Sequence, residues 1–309
     1  MADIVISEYI DPVGLDILKD KYDVLYDQEL YLDPDRLASV MPGAKALIVR
    51  FQTQARGKVL EAGDALKCVG RLGVGLDNID VDACREKGIE VFPAVGANSD
   101  SVAELAVGGL YVMFRQAYHV TEETLAGGWP RPRMMGREVM GKTLGILGFG
   151  SIGRALAWRA NGIGMKVLAW DPIVPAEASV WEDAGVERVA DLGEVQDRAD
   201  AVSLHVPLVD DTRDLIGAAE LKRMKSDAVL INLARGGIVN EPELAEALKA
   251  GEIAGAFLDA FVEEPLPANS VFAGVPNLML TPHAGARTVE SDYRVCSMIA
   301  EAVDGCLSK

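Results

Sequence analysis

The chain has 309 residues, too many for one small core and enough for two α/β domains. Half of it is apolar, a quarter is charged and 31 residues are glycine, a composition that excludes disorder and a coiled coil. Lys and Arg number 30 against 47 Asp and Glu; the net charge of −17 argues against nucleic acid or an anionic membrane as partner and for a small ligand.

The opening ten residues carry acids where a secretory leader would carry a basic segment and an apolar run, so no such signal is expected. Over the first hundred residues, short β-branched runs at 3–6, 24–26, 46–49, 66–70 and 89–92 alternate with amphipathic stretches at 13–19, 34–40 and 57–62. That rhythm predicts a small parallel sheet wrapped by helices. The turn Arg71-Leu72-Gly73-Val74-Gly75 follows a predicted strand, where loops at the carboxyl edge of a parallel sheet approach a ligand.

From Ser99 the pattern becomes a long apolar helix, with Ser101 and Glu104 spaced as a capping box at its start, and the domain boundary is placed here. Its most apolar window, 102–114, is about 13 residues and contains Glu104, short of the roughly 20 a membrane span needs. After the break Gly127-Gly128-Trp129-Pro130, strands are predicted at 144–147, 166–169, 201–204, 228–232, 255–258 and 277–280. Helices fill the gaps, as at 151–161 and at 241–250, the latter opened by Asn240 with Glu243 and closed by Gly251. Six strands with intervening helices describe a doubly wound sheet. Residues 286–309 read as a final helix with Val289, Tyr293, Cys296 and Ala300 on one face, packing back on the first domain. Cysteines 68, 84, 296 and 306 have neither CxxC nor metal-ligand spacing; reduced thiols in a cytoplasmic setting and no metal are the expectation.

Gly148-Phe149-Gly150-Ser151-Ile152-Gly153 follows a predicted strand and opens a helix. The first glycine permits a tight turn, the second lets backbone N–H groups approach a pyrophosphate, and the third lets helix and strand pack closely. Asp171 ends the next strand, 23 positions after Gly148, where a carboxylate can accept from ribose hydroxyls and would repel the extra phosphate of NADP; NAD is therefore the expected cofactor.

Of the three histidines, His283, in Thr281-Pro282-His283-Ala284-Gly285 just past the last predicted strand, is the best general acid/base candidate. Glu264, also past a strand, could hold the imidazole's tautomer and favour its protonated form. Arg235, in Asn232-Leu233-Ala234-Arg235-Gly236-Gly237, could grip a substrate carboxylate in two places. Each has a plainer reading: a structural histidine, an exposed loop acid, a surface ion pair.

With these motifs the chain resembles the D-isomer-specific 2-hydroxyacid dehydrogenases over nearly its whole length. GFGSIG with Asp171 is similar to that family's nucleotide fingerprint, His205-Val206-Pro207-Leu208 with Thr212 to its second cofactor loop, and Asn232 to Gly237 to its arginine motif. Glu264-Pro265-Leu266 and the His283 motif resemble its acid and histidine motifs, and residues 71–80 its substrate-domain loop. The resemblance implies a Rossmann-type doubly wound cofactor domain, 99–284, inserted into a smaller flavodoxin-like substrate domain, 1–98 with 285–309 returning to it. It implies a catalytic trio of Arg235, Glu264 and His283, and a homodimer built through the cofactor domains. It places Arg50, Gly73, Val74 and Gly75 on the substrate side. Gly148, Phe149, Gly150, Ser151, Ile152, Asp171, His205, Pro207, Thr212, Ala234, Asp259 and Gly285 fall to the cofactor. His119 matches nothing catalytic and is left as a helix-surface or interface residue.

Arg50, Arg71, Arg131 and Arg133 all fall in or next to segments expected near the substrate. One arginine serves a 2-oxo acid's carboxylate; further guanidinium groups suit a second anionic group, as in 3-phosphoglycerate or 3-sulfolactate. The plainer reading leaves Arg131 and Arg133 in an exposed loop. Glyoxylate or hydroxypyruvate reduction, and a non-catalytic NAD-sensing protein of the corepressor kind, stand as alternatives.

Overall fold

The structure, a computed structural model, describes residues 2–116 and 120–309, so His119 lies outside the described residues. The chain divides into two compact units: Met1–Asn98 with Ala286–Lys309, and Ser99–Gly285.

The first unit contains strands β1 (Ile4–Ile6), β2 (Val24–Tyr26), β3 (Ala46–Val49), β4 (Cys68–Arg71) and β5 (Glu90–Pro93). They form an all-parallel sheet in the order β2-β1-β3-β4-β5, with Ile4, Val5 and Ile6 opposite Ala46, Leu47 and Ile48. Both faces are covered, so alternate residues of one strand enter different cores. Ile4 and Ile6 pack with the final helix, whereas Val5 packs with Leu30, Leu37 and Leu60 on the other side. The order reverses between β1 and β3, which opens a crevice at their carboxyl ends.

The final helix, Val289–Leu307, buries Ser291, Val295, Cys296, Ile299, Ala300, Val303 and Cys306. This corrects the expected face: Cys296 and Ala300 lie on it, but Val289 and Tyr293 are exposed, a phase set by close backbone approaches. A Cβ on Gly14 would stand 2.7 Å from the Cys296 carbonyl oxygen, and one on Gly70 would stand 2.6 Å from an Ile299 methyl. Glycines at those two points let the helix lie flat on its neighbours.

The second unit contains β6 (Thr143–Leu147), β7 (Lys166–Trp170), β8 (Glu187–Arg188), β9 (Ala201–Leu204), β10 (Val229–Asn232), β11 (Gly255–Leu258) and β12 (Leu278–Leu280). They form a parallel sheet in the order β12-β11-β10-β9-β6-β7-β8, which reverses between β6 and β9. This is the doubly wound arrangement with one strand more than the sequence indicates. Edge strand β8 has two residues and no apolar run. The helix Ser99–Arg115 begins two residues before the expected capping box, so Ser101 and Glu104 lie inside it. Glu104 instead pairs with Arg159, 3.1 Å away. Among the described residues no helix is long and apolar enough to cross a membrane.

Candidate active site

The glycine-rich turn sits where the second sheet reverses. Gly148 has φ +94, and a Cβ there would stand 2.5 Å from the His205 carbonyl oxygen at the end of β9, so only glycine fits. A Cβ on Gly153 would stand 2.3 Å from the Gly148 carbonyl oxygen, which brings the helix Ser151–Gly162 tight against β6. Gly150 differs: a Cβ there would meet nothing within 4 Å. Space is thus kept open at the amino end of a 12-residue helix whose first N–H groups have no side-chain cap. That cradle fits the pyrophosphate of a dinucleotide.

The Phe149 ring is fully buried and stacks on Trp181 with centroids 4.5 Å apart, so its backbone is what the turn presents. The Phe149 N–H donates to Asp171 Oδ2 at 2.7 Å, while Asp171 Oδ1 accepts from Ile173 and Val174 at 2.8 and 3.0 Å. Asp171 therefore shapes the turn after β7, and its oxygens keep further lone pairs for ribose hydroxyls. His205 Nε2 shares a proton with Ser203 Oγ at 2.9 Å. Burial alone pushes its pKa down to about 4, which keeps the ring neutral. Thr212 Oγ1 donates to the Pro207 carbonyl at 2.6 Å and accepts from Val209 N–H at 2.8 Å, closing that loop.

The loops after three neighbouring strands, β10, β11 and β12, carry Arg235, Glu264 and His283. Buried Asn232 fixes the first: its Nδ2 donates to the Arg235 carbonyl at 2.8 Å and its Oδ1 accepts from Ala234 N–H at 3.1 Å. Arg235 Nη1 donates to the Ala234 carbonyl at 2.7 Å. A Cβ on Gly236 would fall 1.9 Å from the Phe261 carbonyl carbon, so this loop lies directly on the next one. There the Phe261 N–H donates to Glu264 Oε1 at 2.9 Å. His283 Nδ1 lies 2.9 and 3.1 Å from the two Glu264 oxygens, which assigns the Nδ1–H to the carboxylate. Burial pushes the Glu264 pKa up, but the hydrogen bonds from His283 and Phe261 with the charge of Arg235 outweigh it and hold the carboxyl below its ordinary range.

His283 adopts φ +52, a left-handed backbone that a non-glycine residue rarely takes and that surrounding contacts must enforce. Asp259 does so: its Oδ1 accepts from Ala284 N–H at 2.7 Å and from the Thr281 hydroxyl, and its Oδ2 accepts from Gly285 N–H at 2.8 Å. Asp259 and Gly285, expected beside the cofactor, are joined in the brace of the histidine loop, Gly285 being one of the donors to Asp259.

In the first unit, Arg50 follows β3 and the turn Gly73-Val74-Gly75 follows β4. Glu8, just past β1, is buried, and its two oxygens accept the N–H groups of Arg50, Phe51, Gln52 and Thr53 at 2.9 to 3.0 Å. Asn78 Nδ2 donates to the Thr53 carbonyl at 2.7 Å, tying the β4 loop to the β3 loop. Sequence reasoning passed over Glu8, though an acid directly after a buried parallel strand is a readable signal. Arg71 is buried, with Nη1 on the Leu72 carbonyl at 3.1 Å. Arg133 pairs with Glu123.

A doubly wound sheet with an open glycine turn at its reversal defines a dinucleotide-binding enzyme of the dehydrogenase class. The model of the family described as D-isomer specific 2-hydroxyacid dehydrogenase, NAD binding domain, matches residues 107–285. The (S)-sulfolactate dehydrogenase of Chromohalobacter salexigens is 49% identical over 96% of this chain and 95% of its own. The D-3-phosphoglycerate dehydrogenase of Methanocaldococcus jannaschii is 42% identical over 88% of this chain, which spans 51% of that longer protein. The crystal structure of NAD+-bound 3-phosphoglycerate dehydrogenase from Entamoeba histolytica superposes with a TM-score of 0.82 at 26% identity, covering 99% of this chain and 95% of that one. The chain belongs to the D-isomer specific 2-hydroxyacid dehydrogenase family, and its cofactor is NAD.

Proposed function

We propose that the protein interconverts a D-2-hydroxy acid bearing a second anionic group with its 2-oxo acid, with Arg235, Glu264 and His283 as catalytic residues. The observation that carries this reading is the His283–Glu264 pair beside the Arg235 loop, on three adjacent strand ends. Bound NADH supplies the hydride to the carbonyl carbon. Arg235 holds the substrate carboxylate and polarises the adjacent carbonyl. His283 Nε2 delivers the proton to the carbonyl oxygen, and Glu264 keeps the imidazole protonated at Nδ1 throughout. In the oxidative direction the same Nε2 takes the hydroxyl proton. The open space at Gly150, the helix amino end and Asp171 support the assigned cofactor contacts.

On the substrate side we assign Arg50, Gly73, Val74 and Gly75; the crevice where the first sheet reverses supports Arg50 there. The similarity to sulfolactate and phosphoglycerate dehydrogenases favours a substrate with two anionic groups. The test is NADH oxidation with a panel of 2-oxo acids. Faster turnover of sulfonated or phosphorylated acids than of pyruvate or glyoxylate supports the reading. Better turnover of the singly charged acids refutes the second anionic group, and tight NADH binding with no turnover favours a sensor.

We further infer a cytoplasmic homodimer. Four free, buried thiols suit a reducing compartment, and exposed Leu125, Trp129 and Met135 of the second unit offer an apolar interface. A single-chain mass of 33.0 kDa in solution would refute the dimer.

A further inference from the structure

Arg50 does not stand alone in the first unit. Its Nη2 is paired with Asp292 Oδ1, in the first turn of the helix Val289–Leu307, and its Nη1 donates to the Tyr9 carbonyl at 3.3 Å. Arg287 Nη1 lies 3.6 Å from the other Asp292 oxygen. The side chains of Arg50 and Asp292 are only 14% and 16% exposed, so this pair is shielded from bulk water, whereas Arg287 is 55% exposed. A guanidinium has five N–H donors; Asp292 and Tyr9 occupy two of Arg50's, which leaves donors for a ligand oxyanion. The cluster of two arginines and one aspartate carries one net positive charge, and the buried Glu8 carboxylate, held by four backbone N–H groups of the Arg50 loop, adds no positive charge to it.

We propose that Asp292 sets the charge accepted at Arg50, making this a subsite for a singly charged oxyanion and selecting a sulfonated 2-oxo acid over a phosphorylated one. The proposal rests on the reading that Arg50 meets the substrate. A sulfonate carries one negative charge throughout the working pH range, and the cluster balances it. A phosphate monoester carries between about 1.5 and 2 negative charges at pH 7, with a second pKa of about 6. The desolvation cost of an ion grows with the square of its charge, while its attraction to the cluster grows only linearly. The Asp292 carboxylate, paired with the guanidinium, offsets positive charge that a second phosphate charge would otherwise meet. Asp292 is thus a specificity-determining residue acting through Arg50.

The experiment compares kcat/KM for 3-sulfopyruvate and 3-phosphohydroxypyruvate, with NADH, in the wild-type enzyme and in Asp292→Asn. The sulfonate-to-phosphate ratio should fall about tenfold in Asp292→Asn. Asp292→Glu, which keeps the charge, should hold it within about threefold. A measurement on the wild-type enzyme needs no variant to fold. Lowering pH from 7.5 to 5.5 protonates the phosphate monoester but not the sulfonate, so the ratio should fall as pH falls. Asp292, Arg287, Tyr9, Glu8 and Cys296 face Arg50 or its pair, with Asp11 beside Tyr9; an acid among them that gains a proton stops opposing the second phosphate charge, so it moves the ratio in the same downward direction. A ratio unmoved by Asp292→Asn and by pH, while Arg50→Ala weakens both substrates, overturns the proposal and leaves Arg50 in the site. Arg50→Ala with no effect on either KM overturns the underlying reading, and the proposal with it.

Discussion

Replacing Gly150 with alanine puts one methyl group at the point where the dinucleotide reading needs empty space. The protein has room for it: the Cβ meets nothing within 4 Å, and the backbone, at φ −73, is open to any residue. Reduced freedom of the unfolded chain favours alanine by about 0.4–1 kcal/mol, and alanine's poorer fit as a helix N-cap offsets a similar amount. The folded state should therefore change by less than about 1 kcal/mol, a shift of a few degrees in Tm at most. The cofactor fares differently, because the methyl holds the pyrophosphate off the helix N–H groups. Losing one or two charge-assisted hydrogen bonds of about 1.5–3 kcal/mol each raises the NADH Kd roughly 100-fold. Gly148→Ala should do the reverse of a silent change. Its φ of +94 and the 2.5 Å approach to the His205 carbonyl oxygen predict a loss of about 3 kcal/mol or more and a clear drop in Tm. NADH fluorescence titration and thermal melting read the two effects separately. Gly150→Ala binding NADH as the wild type does would refute the placement of the pyrophosphate on this turn.

His283→Asn should lower kcat by roughly a hundredfold or more while NADH affinity stays nearly unchanged; steady-state turnover beside a binding titration checks it, and undiminished turnover removes His283 from proton transfer. Arg235→Lys keeps the charge but loses the two-pronged grip, so kcat/KM should fall at least tenfold, and a smaller loss would mean that another arginine anchors the carboxylate. The neutral His205 ring also predicts a pH effect on stability. With its pKa held at about 4 in the folded protein and near 6.5 unfolded, the unfolded chain alone takes up a proton on acidification. Its contribution is fully present above pH 6.5 and is lost between 6.5 and 4, about 2 kcal/mol after allowance for partial exposure. Denaturant unfolding of the wild type and His205→Asn should converge across that window, and parallel curves would show that the ring titrates normally.

The fold was largely legible because parallel strands buried on both faces read as unbroken apolar runs, as at 229–232 and 255–258. β8 was not, since Glu187 and Arg188 form an edge strand with no hydrophobic signature. The final helix was legible as a helix but not in its rotation: Val289 and Tyr293 look like core by spacing, whereas the close approaches at Gly14 and Gly70 bring the Cys296 and Ile299 side inward. At the candidate site, motif spacing located Arg235, Glu264 and His283 as strand-end residues. It could not reveal that Asp259 braces the strained His283 loop, because those hydrogen bonds join residues 22 to 26 positions apart. The Arg50–Asp292 pair, separated by 242 positions, was invisible for the same reason. Long-range pairs of charges leave no local pattern; they appear only when the last helix returns to the first sheet.

Isotope transfer tests the central claim most directly. With NADH deuterated at the transferable ring position and 3-sulfopyruvate or 3-phosphohydroxypyruvate as acceptor, the label should appear on the carbinol carbon of a hydroxy acid of D configuration, and His283→Asn should suppress its appearance. NADH that binds but passes no label to either oxo acid, or label arriving in the L product, would contradict the account.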